Sequence, residues 1–204
     1  MKRIAHIIST IFQPLLMPTY NVLLLYVYTY FNMIYSHQFW YIVLPVFIFS
    51  FALPALLILL LHRIGIVSDL SLTVRKERIF PYLITLVSYC IMIFLYYKMR
   101  MPQWFILLMT ASAMIMVLAI FITLKWKISA HMLGAGGLTG GVMGVSYFVE
   151  HTNPFILFIL LFLMSGCVAT SRLILRRHTL SQVVAGFLLG LLLSFTFVRL
   201  GTVS

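Results

Sequence analysis

The chain has 204 residues, 63% of them hydrophobic and only 8% charged, with a formal net charge of +11 and a mean hydropathy of +1.12. Soluble domains run at about 45–50% apolar and about 25% charged residues, so a soluble globular fold is excluded and lipid must solvate most of the chain. Unpaired backbone groups cost several kcal/mol each in hydrocarbon, and the short alternating segments of a membrane barrel are absent, so the expected fold is an all-α polytopic membrane bundle.

The opening "MKRIAHIISTIFQPLLMP" has the basic start of a signal peptide. Its apolar stretch is broken by Gln13, Pro14 and Pro18, and no small-residue cleavage site follows. It is expected to be retained as an interfacial helix leading into the first span. A transmembrane helix needs roughly 17–25 mostly apolar residues. The runs that qualify are Leu15–Tyr35, Tyr41–Leu61, Pro81–Tyr97, Gln103–Leu124, Met132–Val149, Pro154–Thr170 and Thr179–Val198. They make seven spans, or six if the proline-bearing first run only dips into the bilayer. Residues 1–204 read as one membrane domain, with N-terminal helices over 1–80 and a core over 75–190. In the fifth run Gly136, Gly140 and Gly144 recur every four residues, as do Gly137 and Gly141. Such small-residue stripes let helices approach closely in lipid, and this one is expected to bring its helix against the last. The two cysteines, Cys90 and Cys167, both fall inside apolar runs and indicate no disulfide framework.

Alternation of the spans puts the N-terminus and the loops around residues 62–80, 125–131 and 171–178 on one side of the membrane. Only Lys98, Arg100 and Arg199 of the fourteen Lys and Arg residues fall on the other side. The positive-inside rule makes the crowded side cytoplasmic, and a bacterial inner membrane is the expected location. With the cations confined to short loops, anionic lipid head groups or phosphate substrates are the expected partners, and nucleic acid is not.

Three polar segments converge on that side: "DLSLTVRKERIFP" from Asp69, "KWKISAHMLGAGG" from Lys125 and "SRLILRRHTLSQVVAG" from Ser171. Arginine bonds phosphate in bidentate fashion, and histidine serves as nucleophile or general acid near neutral pH. Phosphoryl transfer is mostly positioning and charge stabilisation, so cations with two histidines form a sufficient kit. Asp69, Glu77 and Glu150 are the only acidic residues, too few for a two-metal hydrolase. No metal or other cofactor is expected. Lys125, Lys127, Arg176 and Arg177 read as membrane-edge cations, and His6, His37, His62 and His151 carry no motif.

The last of these segments, S-R-x5-H-x3-Q-V-x-A-G, resembles the third signature of the type 2 phosphatidic acid phosphatase superfamily, the lipid phosphate phosphatases, in which the pattern is S-R-x5-H-x3-D. "SAH" at Ser129–His131 is similar to that family's second signature, P-S-G-H, and the basic run Arg75–Pro81 occupies the place of the first, K-x6-R-P. The resemblance implies that His178 is the nucleophile attacking phosphorus. It makes His131 the group that protonates the departing alkoxide and later activates water. Arg172, Ser129 and Ser171 would hold the non-bridging oxygens, with Arg78 and either Lys76 or Arg75 supplying the first-motif cations. Seven residues before Arg78 stands Ser71 where the pattern has Lys, and the proline is delayed to Pro81. Ile128 replaces Pro and Ala130 replaces Gly, which removes backbone freedom. Gln182 replaces the Asp that orients the nucleophilic histidine. Residues 178 and 182 share a helix face, so the amide oxygen can still accept the ring's bond, while the negative charge is gone.

The function implied is a metal-independent membrane phosphatase cleaving a phosphomonoester or pyrophosphate from a lipid, such as phosphatidate, phosphatidylglycerol phosphate or a polyprenyl pyrophosphate, through a phosphohistidine. A phosphotransferase on the same scaffold, or a catalytically impaired relative that binds or moves anionic lipid, are the alternatives. A small transporter would need charges deep within the spans, and the sequence has almost none.

Overall fold

A computed structural model of the chain describes residues 1–68 and 79–203. The described residues are helical with no strand, in the order α1 (Lys2–Ile11), α2 (Met17–Tyr28), α3 (Phe31–Tyr35), α4 (Phe39–Phe47), α5 (Leu53–Arg63), α6 (Ile79–Lys98), α7 (Gln103–Lys125), α8 (Ala130–Phe148), α9 (Phe155–Ile174) and α10 (Leu180–Val203). Six stretches are long and apolar enough to cross a membrane: Lys2–Tyr28, Phe31–Arg63, Ile79–Lys98, Gln103–Lys125, Phe155–Ile174 and Leu180–Val203. The architecture is the expected all-α polytopic bundle of an integral membrane protein.

The first two stretches differ in detail from the apolar runs. Gln13 is extended, as the residue before a proline prefers, and Pro14 opens a 3-10 turn that separates α1 from α2. α2 ends at Thr29, whose hydroxyl donates to the Leu25 carbonyl and accepts from the Phe31 backbone. The chain therefore turns seven residues before the expected end of the first span, and Phe31–Tyr35 joins the next stretch. Within that stretch Pro45 lies inside α4, and Ile48–Ala52 widens into a π segment in which the Leu53 amide reaches back to the Ile48 carbonyl. In this register the Phe49 carbonyl would take its proton from residue 54, which is a proline and has none. Ser88 of α6 supplies it instead, its hydroxyl donating to the Phe49 carbonyl at 2.5 Å.

α8 is too rich in glycine to register as apolar, yet it is the most enclosed helix, with residues 132–146 buried at nearly every position. It runs parallel to α10. A Cβ at Gly136 would meet the Phe187 carbonyl, one at Gly140 the Leu191 carbonyl, and one at Gly144 the Val198 side chain at 2.9 Å. From the other side, a Cβ at Gly190 would meet the Leu133 carbonyl. The stripe thus brings two backbones into direct contact, as its spacing predicts, and sets the N-termini of α8 and α10 at the same end of the bundle. Gly137 lies between Ile115 and Ser194 of α10, and Gly141 faces Asn21 and Leu108. At the other end of α6, Phe31, Tyr96 and Phe105 form an aromatic cluster, with Phe31 stacked on Phe105 at 5.4 Å.

Candidate functional site

Four backbone features converge at the end where α8 and α10 begin. Ser129 precedes α8 with extended dihedrals, so His131 sits in the first helical turn. α9 closes in a Schellman arrangement, with the Arg176 amide donating to the Leu173 carbonyl and the Arg177 amide to the Arg172 carbonyl. Its left-handed position is occupied by Arg176 at φ 51° in place of the usual glycine. This tight reversal puts Arg177 and His178 in a short loop directly after Arg172, which lies in the last turn of α9. Thr179 then starts α10, its carbonyl accepting from Val183.

His131, Arg172, Arg177 and His178 line one cavity of about 510 Å³. Its remaining walls come from His6, Ser9, Thr10 and Gln13 at the N-terminus and from apolar residues of α5, α6 and α7, among them Ile58, Leu59, Pro81 and Met116. The cationic and hydrogen-bonding residues are therefore joined in one cavity by a mostly apolar wall that also includes Tyr82 and Thr85. Two helix N-termini, each equivalent to about half a positive charge, add to the arginines.

The ring of His178 is oriented by Gln182. Its Nδ1 lies 3.0 Å from the Gln182 Oε1, and the Thr179 backbone N–H donates to the same oxygen at 3.2 Å. A backbone N–H can only donate, so it fixes the amide with its oxygen inward. That oxygen can only accept, so His178 carries a proton on Nδ1. The Thr179-x-x-Gln182 spacing is that of a helix-capping box, and the cap and the histidine orienter are one atom.

Arg172 is buried at 9% exposure and its Nη1 donates to the Ser9 hydroxyl at 2.7 Å. His131 Nε2 lies 3.0 Å from the Ser9 carbonyl and 3.1 Å from its Oγ. The carbonyl can only accept, so this nitrogen bears a proton. Ser9 is a site residue that the sequence reading missed. It stands 163 positions from Arg172, in a helix whose basic and apolar pattern signals an interfacial anchor. His6 and Arg177, read as motif-free and membrane-edge residues, also belong to the cavity wall.

The two serines expected beside the phosphate do not line the cavity. Ser171 is buried and donates to the Val168 carbonyl at 2.7 Å. Ser129 is fully enclosed where α8 meets Gly186, and its hydroxyl has no hydrogen-bond partner among the described residues. The expected first-motif cations Arg75, Lys76 and Arg78 lie outside the described residues. No protein-family model matches the chain, and no curated protein or solved structure matches it.

Proposed function

We propose that the protein is a membrane lipid phosphatase working through a phosphohistidine. His178 Nε2 attacks phosphorus, the N–P bond forms as the P–O bond to the lipid breaks, and the departing alkoxide takes a proton from Nδ1 of the His131 imidazolium, whose Nε2–H stays on Ser9. Water activated by His131 then attacks the phosphohistidine and releases inorganic phosphate. Arg172 and Arg177 offset the charge of the equatorial oxygens, as phosphoryl transfer requires. Gln182 holds the His178 tautomer.

The observation that carries this reading is the co-lining of one cavity by His131, Arg172 and His178, with His178 held in the Nδ1–H form. The mostly apolar wall from α5, α6 and α7 suits an amphiphile with its phosphate against the cations. A phosphomonoester or pyrophosphate on a lipid fits both. Its chemistry needs no metal in this scheme. The impaired-relative alternative draws on the neutral Gln182 and on the departures in the first motif; Gln182 still gives the His178 ring an acceptor, and the first-motif residues lie outside the described ones.

Orientation follows from charge. The end bearing the cavity carries most of the Lys and Arg residues of the sequence, which supports a cytoplasmic placement in a bacterial inner membrane.

The test is phosphate release by the purified full-length protein in detergent, with and without chelator, against phosphatidate, phosphatidylglycerol phosphate and polyprenyl phosphates and pyrophosphates. Release from one of them that survives chelation and is abolished in His178→Ala supports the reading. Absence of release from the wild type, or equal release from the variant, overturns it.

A further inference from the structure

Ser9 is placed unusually for a serine inside a helix. Helical Ser and Thr hydroxyls commonly bond the carbonyl one turn back, as Thr10 does to His6 at 3.0 Å. The Ser9 hydroxyl instead receives Arg172 Nη1 at 2.7 Å and faces His131 Nε2 at 3.1 Å. Both of those groups are donors, the first by its chemistry and the second because the Ser9 carbonyl also takes its proton. A hydroxyl oxygen has two lone pairs and one proton. With both lone pairs occupied, the proton is left over, and no acceptor for it exists among the described residues. Ser9 lines the cavity.

We propose that Ser9 is a phosphate-binding residue: its hydroxyl, polarised by Arg172 and His131, donates to a phosphate oxygen in the cavity. The assignment rests on the phosphatase reading and deepens it. It fills the role expected of Ser171, whose hydroxyl is committed to its own helix, and it makes α1 a wall of the site. Donation from a hydroxyl that itself accepts from a cation is strengthened by polarisation along the chain of bonds, and a phosphate dianion is the acceptor that best exploits it.

α1 is built to hold Ser9 still. Ala5 is buried, Ile8 and Phe12 pack into the core cluster of α8 and α9, and the helix rests on α9. Its C-terminal end is pinned by Tyr20, whose hydroxyl donates to the Ile11 carbonyl at 2.8 Å and whose ring meets Phe12 edge-on. These contacts make α1 part of the packed wall of the cavity.

The probe is orthovanadate, a mimic of the phosphoryl group, titrated into full-length wild type, Ser9→Ala and Ser9→Thr, beside KM and kcat on the lipid that the panel identifies. Loss of one hydrogen bond to a charged group corresponds to about a tenfold or larger effect. Ser9→Ala should weaken vanadate binding and raise KM by that factor, and Ser9→Thr, which keeps the hydroxyl, should return both to within about threefold. The role of Ser9 falls alone if the wild type binds and turns over while Ser9→Ala matches it. It falls equally if Ser9→Ala binds more tightly or turns over faster, as removal of a plug would cause, or if Ser9→Thr is as weak as Ser9→Ala. If the wild type neither binds vanadate nor releases phosphate, the phosphatase reading and this role fall together.

Discussion

The amide oxygen of Gln182 accepts from the His178 ring and from the Thr179 backbone at once, so the start of α10 and the tautomer of the proposed nucleophile stand or fall together. Gln182→Glu keeps the reach and both acceptor contacts while adding a charge. It should retain or raise phosphate release, measured as kcat on the identified lipid. Gln182→Met removes the acceptor, leaves the Thr179 amide to water and allows the ring to carry its proton on either nitrogen. A fall in kcat of about tenfold or more is expected, with a small loss of helix stability from the missing cap. This pair was legible in the sequence, because residues four apart on a helix must share a face. Ser9 was not, because nothing in a local pattern reports which distant arginine a hydroxyl will meet. Arg176 offers a separate test. In its left-handed conformation a side chain costs roughly 1–2 kcal/mol, so Arg176→Gly should raise the thermal unfolding midpoint in detergent without weakening vanadate binding.

At the scale of elements, the site depends on how closely two helices approach. The spacing of Gly136, Gly140 and Gly144 made that contact readable, since small residues every fourth position leave a flat strip for another backbone. Gly140→Ala would drive a methyl into the Leu191 carbonyl, and backbone cannot yield as a side-chain tip can. The expected cost is about 1–3 kcal/mol, seen as a lower unfolding midpoint together with reduced activity, because His131 rides on one of the two helices being pushed apart and His178 stands immediately before the other. Gly166 is the control. A Cβ there meets nothing within 4 Å, so Gly166→Ala should be neutral or slightly stabilising. The irregular second stretch was much less legible. Pro45 and Pro54 signal a disturbance, but whether the helix kinks, stops or widens depends on who satisfies the liberated carbonyl. Ser88 decides it from another helix. Ser88→Ala leaves the Phe49 carbonyl unpaired in the bundle and should cost about 1–3 kcal/mol.

For the whole molecule, composition alone specified an all-α membrane bundle, and the apolar runs located most of its helices to within a few residues. α8 was expected as a span but lacks the hydropathy of one. Its parallel contact along α10 shows how a glycine-rich helix is accommodated, enclosed by others and shielded from lipid. Cation placement yields a topology test. In a background without Cys90 and Cys167, Ser36→Cys and Arg63→Cys put thiols at exposed positions on opposite ends of one stretch. A membrane-impermeant maleimide added to intact cells should label the first, and should label the second only after permeabilisation. The opposite pattern would put the site outside the cytoplasm.

The 163-residue separation of Ser9 and Arg172 bears on how the protein is made. A chain emerging from the ribosome delivers α1 before α8 and α8 before His178, so every intermediate short of His178 lacks the proposed nucleophile and the glycine-lined partner of α8. The cationic end acquires its proposed nucleophile only when α10 has entered the bilayer and docked. Under the proposed phosphatase function, biosynthesis itself times the onset of activity, and a chain still lacking α10 can reside among phospholipids without cleaving them.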